Sequence, residues 1–237
     1  MSDPQTGSIT FFIPCLNEEG NVGRAIDMIA GVMAGRSNKF EILVIDDASK
    51  DGTCAEVEGR KAKHPRANIV LVRNPQRHGL GRNYATAARQ ASGEYYMLVN
   101  GDAVEPPATL VTILAKLGTA DVVVPYPGLG DARGLGRTIP SVLFRVMVNL
   151  SSGNSIRYYN GPVLHRTENV RKWAADTEGF GYQAELVCRA VSEGASYVEV
   201  PIANGDRTQG GSTALTWRNF LAVSKTLCNI LRRRLGL

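Results

Sequence analysis

The chain has 237 residues, 43% apolar and 21% charged, and its 27 Lys and Arg against 22 Asp and Glu give a net charge of +5. Composition excludes collagen-like, coiled-coil and disordered classes and leaves material for one generous core. With no apolar run near the ~18 residues of a spanning helix and a short polar start, Met1 to Ser8, the chain is expected to be soluble and cytoplasmic, without a secretory signal.

The first half alternates strand and helix. Ile9 to Ile13 is a short apolar run stopped by Pro14, which reads as a buried strand. Val22, Ile26, Ile29 and Met33 then recur at helical spacing. A second strand, Phe40 to Ile45, ends in Asp46-Asp47, and a helix follows from about Thr53 until His64-Pro65. Asn68 to Val72 is the third strand, with a helix near Arg82 to Gln90 behind it. Glu94 to Val99 is the fourth, halted at Asn100-Gly101-Asp102. Pro106 and Pro107 open a helix through Leu117, and Asp121 to Val124 adds a strand.

This alternation predicts an α/β fold with a mostly parallel central sheet flanked by helices. Ligands of such sheets bind beyond the carboxyl ends of the strands. The polar clusters Pro14 to Glu19, Asp46 to Asp51 and Asn100 to Glu105 all fall at those ends.

The second half is less regular. Gly128 to Arg137 reads as a long loop, followed by an apolar helix from Ile139 to Leu150. Glu178 to Val191 reads as a loop running into a helix, and Tyr197 to Pro201 as a late strand. Asn204 to Thr213 is polar and glycine-rich. Thr216 to Leu235 is an amphipathic helix ending in Arg232-Arg233-Arg234, with Trp217, Phe220, Leu221, Ser224, Cys228, Leu231 and Leu235 on one stripe. Such a helix suits either an anionic membrane surface or packing on the body of the domain.

Each cluster has a chemical reading. Asp46-Asp47 at a strand end repel each other unless donors or a cation bind them, and such an Asp can accept hydrogen bonds from a nucleoside. Ser49 and Asp51 are placed as helix caps. Asp102 can hold a divalent ion through oxygen, although Asn-Gly-Asp is also an ordinary turn. Arg207 with Gly210, Gly211 and Ser212 suits a phosphate clamp or a surface loop equally. Gly79-Leu80-Gly81 and Gly128-Leu129-Gly130 lack the third glycine of a dinucleotide fingerprint, which disfavours a Rossmann dehydrogenase. The four cysteines form no C-x-x-C pair, and His64, His78 and His165 are isolated. Nothing in the sequence suggests nucleic acid as a partner.

Taken together, these clusters resemble the family 2 glycosyltransferases, most closely their dolichyl-phosphate mannose synthase-like branch. The matches run in order from about Ile9 to Thr213: Ile13 to Glu19, Val44 to Thr53, His78 to Gly81 before Ala91 to Glu94, Asn100 to Asp102 with Pro106, Arg137 with Ser141, Glu185, Glu199 to Ile202, and Arg207 to Ser212. The resemblance implies a GT-A fold, a GDP- or UDP-linked sugar donor, a divalent cation (Mg²⁺ or Mn²⁺) and inverting displacement at the anomeric carbon. It assigns Pro14, Leu16, Glu18, Ile45 and Asp47 to the nucleoside. Asn100, Gly101 and Asp102 fall to the metal-diphosphate motif, and Arg207 to the diphosphate. Arg137 and Ser141 fall to the acceptor phosphate. It also implies a nucleotide-binding half at about 8–125, an acceptor half at about 126–213 and a basic helix at 214–237.

Three departures stand out. Asn100 replaces the first Asp of the D-x-D motif, Val104 stands where relatives carry a polar residue beside Glu105, and Thr213 replaces a lysine. Weaker metal binding is therefore expected, and three functions stay open. A lipid phosphate acceptor, already ionised near neutrality with a second pKa of ~6, needs no general base. A hydroxyl acceptor needs one, for which Glu185 is the candidate. A catalytically weakened nucleotide-binding homologue is the third.

Overall fold

The computed structural model describes residues 7–102, 105–128, 135–173, 181–202 and 217–236; within these, the side chains of 135–139 and 217–222 lie outside the description. Short apolar runs bounded by Pro, Asp or Gly form the strands β1 (Ile9–Cys15), β2 (Phe40–Asp46), β3 (Asn68–Arg73), β4 (Tyr95–Leu98), β5 (Val122–Pro127), β6 (Leu164–Arg166) and β7 (Tyr197–Ile202). Segments with helical apolar spacing form α1 (Val22–Ala34), α2 (Thr53–Lys63), α3 (Leu80–Gln90), α4 (Pro107–Leu114) and α5 (Leu135–Ser152). Three more follow: α6 (Thr167–Trp173), α7 (Tyr182–Ser192) and α8 (Trp217–Leu235).

The seven strands make one sheet in the order β3-β2-β1-β4-β6-β5-β7. All neighbours are parallel except β6, which runs antiparallel between β4 and β5. Side chains alternate across a strand, so each sheet face builds its own core. Phe11, Ile13, Ile42 and Val44 pack with Ile26 and Ile29 of α1 and Ile113 of α4 on one face. On the other, Phe12, Leu43 and Ile45 pack with Tyr84 of α3, Leu186 of α7 and Ile230 of α8.

The expected α/β architecture is present, with differences that have physical causes. Helix α3 starts at Leu80 rather than Arg82, because Gly79 adopts φ +86° and turns the chain into the helix. Helix α5 starts at Leu135, inside the segment expected as a loop, and carries Pro140 within it. Proline's fixed φ suits a helix, but it lacks the N–H that would bond to the preceding turn and its ring crowds that turn's carbonyl. β6 and α6 went unseen in the sequence. Three residues, Leu164-His165-Arg166, are too few to show a period of two.

The C-terminal helix packs against α5 and α7. Among its described side chains, Thr226 and Ile230 are buried, while Cys228, Leu231 and Leu235 are exposed. The apolar stripe anticipated for this helix therefore faces outward over its described part, and a second stripe carries the packing.

Ile230 is 3% exposed and Leu235 62%. Truncation of Ile230 to alanine is expected to cost about 2–5 kcal/mol of stability, and Leu235→Ala to change it by about 0.5 kcal/mol or less. Urea denaturation of both variants measures the difference.

Candidate functional site

Parallel strands cannot be joined by tight hairpins, so their carboxyl ends emerge into open loops. At the ends of β1, β2 and β4 those loops surround a cleft of about 230 Å³. Pro14, Cys15, Leu16 and Glu18 line it from β1, Asp47 from β2, and Asn100, Gly101 and Asp102 from β4. Arg77, Gly79, Leu80 and Asn83 complete it from the β3–α3 side.

The β1 and β2 loops are tied together by reciprocal bonds. The Asn17 backbone N–H donates to Ser49 Oγ (2.8 Å), and the Lys50 N–H to Asn17 Oδ1 (2.9 Å). The Glu18 N–H donates to Thr53 Oγ1 (2.8 Å) and the Gly52 N–H to Glu19 Oε2 (2.8 Å). Asn17 and Ala48 take positive φ, 57° and 67°, to make these crossings. Such non-glycine backbone persists where surrounding bonds over-determine it. Ser49 thus bridges loops instead of capping α2. The residue preceding that helix is Gly52, with no side-chain cap bond. Asp51 does accept from the Thr53 N–H at 3.1 Å and from the Glu19 N–H at 3.1 Å.

Asp47 holds the other wall. Its Oδ1 accepts from the His78 N–H (2.8 Å) and Asn74 Nδ2 (2.9 Å), and its Oδ2 from the Gly79 N–H (2.8 Å). Burial pushes this carboxyl up, but the hydrogen bonds of Asn83, His78, Asn74 and Gly79 prevail and hold it below its ordinary value. The carboxylate therefore fixes the turn that carries Arg77 to the cleft. Cys15 Sγ is the reverse case: burial, with Glu18 and Asp46 adding to it, raises its pKa well above the ordinary thiol value. It is a neutral lining group.

The glycine between Asn100 and Asp102 answers to close approach. A Cβ on Gly101 would lie 2.8 Å from the Pro14 carbonyl oxygen and 3.3 Å from Cys15 Sγ. Asn100 donates its amide to Glu105 Oε1. The oxygens on this turn, from Asn100, Asp102 and Glu105, are hard donors of the kind Mg²⁺ and Mn²⁺ take. Among the described residues no group of three His, Cys, Asp or Glu is placed to hold a metal alone. The donor set fits a cation shared with a substrate's phosphates, which needs only one or two carboxylates from the protein.

The other residues singled out in the sequence lie elsewhere. Ile45 is fully buried in the core; strand alternation turns it beneath the cleft. Glu185 is 3% exposed and pairs with Arg233 Nη2 of α8 at 3.5 Å, with Asn229 Nδ2 at the same distance. Ser141 is on α5, half-buried. Arg137 is in the first turn of α5 with its side chain outside the description, and Arg207, Val104 and Gly210 to Thr213 lie outside the described residues. Sequence reasoning missed Arg77 and Asn83, and it singled out Gly79-Leu80-Gly81 without giving Leu80 a place in the cleft.

Because the folded Asp47 carboxyl ionises below its model-peptide value of 3.8, it stabilises the fold above that pH and loses the contribution as pH falls through the folded pKa. Asp47→Asn is expected to cost about 2–4 kcal/mol at neutral pH. It should also flatten the acid limb of the stability curve, which urea titrations from pH 7 to 3 measure. Gly101→Ala would press its Cβ on the Pro14 carbonyl, so it should cost about 1–3 kcal/mol of stability and weaken nucleotide binding, read as a smaller thermal shift with GDP or UDP.

Comparison with known proteins adds a lineage to this geometry. The family model described as Glycosyl transferase family 2 matches residues 10–176. An undecaprenyl-phosphate mannosyltransferase of Micrococcus luteus is 26% identical over 211 residues, covering 84% of each chain. A polyprenol monophosphomannose synthase of Mycolicibacterium smegmatis is 28% identical over 217 residues, 84% of this chain and 78% of that one. Among solved structures, a mannosyltransferase of Pyrobaculum calidifontis in complex with GDP-Man and Mn²⁺ superposes with a TM-score of 0.63 at 18% identity, over 97% of this chain and 75% of that one. The fold is the GT-A fold, and with the family model spanning both the cleft and the antiparallel β6, the chain belongs to glycosyl transferase family 2 and is a glycosyltransferase.

Proposed function

We propose that the protein moves a sugar from a nucleotide-diphosphate sugar to a polyprenyl phosphate at a membrane surface, with inversion at the anomeric carbon. One observation carries the choice of acceptor. Glu185, the acid that a hydroxyl acceptor would require as base, is engaged by Arg233 and Asn229 of α8 and is not among the described residues that line the cleft. A phosphate monoester needs no such base, since its second pKa of ~6 leaves it mostly ionised at neutral pH. The names of the Micrococcus and Mycolicibacterium relatives, both acting with polyprenyl phosphates, support the same reading.

In this reading the nucleoside lies between Pro14, Leu16, Glu18 and Asp47, above the buried Ile45. Arg77 and Asn83 flank it. Asn100, Gly101 and Asp102 face the diphosphate, with Arg207 as a further cation. Arg137 and Ser141 receive the acceptor phosphate. An acceptor oxygen forms the new bond to the anomeric carbon as the bond to the diphosphate breaks, and the diphosphate leaves with that electron pair. A divalent cation held by Asp102, with Asn100 and Glu105 nearby, would supply charge neutralisation of the leaving group. Position and electrostatics make up the rest of the protein's contribution. The division into a nucleotide-binding half at about 8–125, an acceptor half at about 126–213 and a C-terminal helix at 214–237 belongs to the same proposal. So does peripheral membrane association. Among the described residues no helix is long and apolar enough to cross a membrane.

The test incubates the protein with labelled GDP-mannose and a panel of other GDP- and UDP-sugars, a polyprenyl phosphate, and Mg²⁺ or Mn²⁺. Label is expected in the lipid fraction, abolished by chelator, and reduced on the order of a hundredfold or more in Asp102→Ala. Label confined to water-soluble products would overturn the lipid acceptor. Unchanged transfer by Asp102→Ala would overturn the metal assignment.

A further inference from the structure

The surface made by α5 and α8 departs from ordinary solvent-facing helices. Val142, Leu143, Val146 and Leu150 lie on one side of α5, and all four are exposed, Leu150 at 72%. Leu231 and Leu235 of α8 are exposed as well. The two helices pack on each other, and Arg234 Nη1 donates to the Leu150 carbonyl at 2.8 Å. The ends of the two helices, with Leu150 on one and Leu231 and Leu235 on the other, therefore lie close together. Exposed apolar side chains gathered on neighbouring helices mark an interaction site more often than scattered single ones do.

Charge selects the occupant. Across the 18 residues of α5 and the 19 of α8 there is no Asp or Glu, while Arg145, Lys225 and Arg232 to Arg234 are present. Lys225 and Arg232 are exposed beside the apolar stripe of α8. A second copy of the chain meeting this face through a twofold axis would bring like charges together. An apolar protein partner would leave the exposed Lys225 and Arg232 without counter-charge. An anionic bilayer satisfies both components, with apolar side chains entering the acyl boundary and cations meeting lipid head groups.

We infer that the α5–α8 pair is the membrane-docking face, seated in the interface of an anionic bilayer through Val142, Leu143, Val146, Leu150, Leu231 and Leu235. This rests on the proposed lipid-phosphate acceptor for its biological meaning. The consequence for that site is geometric: Arg137 and Ser141, assigned to the acceptor phosphate, are on the same helix as the docking leucines. Seating α5 therefore brings the acceptor end of the enzyme to the depth of lipid phosphates. The inner face of α8 stays on the protein through Ile230 and the Arg233–Glu185 pair, so docking needs no unfolding of the helix.

The experiment is co-sedimentation of the full chain with phosphatidylcholine vesicles made with and without phosphatidylglycerol. The wild-type protein is expected to bind the anionic vesicles, and raised salt should weaken that binding. The double variant Leu143→Gln, Leu150→Gln should lose on the order of tenfold or more in vesicle affinity. Its thermal melting and its sugar transfer to a short, water-soluble prenyl phosphate without vesicles should match the wild type. Vesicle binding unaffected by the double variant would overturn the docking face. So would no binding by the wild type, or a wild-type dimer that the double variant dissociates. If neither protein glycosylates a prenyl phosphate while vesicle binding still depends on the two leucines, the proposed acceptor fails and the docking face stands.

Discussion

A parallel sheet delivers its strands to one edge without closing that edge, and the whole site is a response to that constraint. At the ends of β1, β2 and β4 no hairpin is available to pair the emerging backbone. Side chains serve instead. Ser49, Thr53, Asp51 and Glu19 accept backbone N–H groups across the β1–β2 gap, and Asp47 accepts three donors from the β3–α3 turn. The polar residues at the strand ends are therefore mostly spoken for before any ligand arrives. What they leave is a rigid rim, and the cleft is the space inside it.

The same economy explains the positive-φ residues. Asn17 and Ala48 occupy backbone states that cost on the order of 1 kcal/mol or more outside glycine. They do so where the reciprocal bonds are densest. The bonds made at Asn17 are neutral, from its N–H to Ser49 Oγ and to its Oδ1 from the Lys50 N–H, and the carboxylates of Glu19 and Asp51 add the stronger, charge-assisted ones beside them; acting together they offset local strain at a small number of positions. A cleft built this way is preorganised toward its ligand, and affinity is not spent on ordering loops.

Much of this was legible in the sequence because it rests on local chemistry. The runs Ile9 to Ile13 and Phe40 to Ile45 could be read as strands from their apolar content, and the polar clusters after them as ligand-facing from topology alone. Residues whose role depends on a distant partner were not legible. Nothing around Ser49 announces Asn17, 32 residues away. Arg77 enters the cleft only because Asp47 captures the turn that follows it. Glu185 carries a motif position, yet its neighbourhood is set by α8, 48 residues later. β6 is legible only as the strand that β4 and β5 both require, since its three residues hold no pattern of their own.

The placement of β6 also orders the making of the sheet. β5 (Val122–Pro127) has no direct pairing to β4, and reaches the rest of the sheet through β6 (Leu164–Arg166). β5 thus has no edge to join on the strand that precedes it until almost forty more residues have been added. β1 to β4 pair only among themselves up to that point, and the described residues that line the cleft all come before position 103. Contacts close in sequence form with less loop-closure cost than distant ones. During synthesis the described walls of the cleft are then the first part of the molecule to acquire their final neighbours, and β5, β6 and β7 are added to a sheet that already exists.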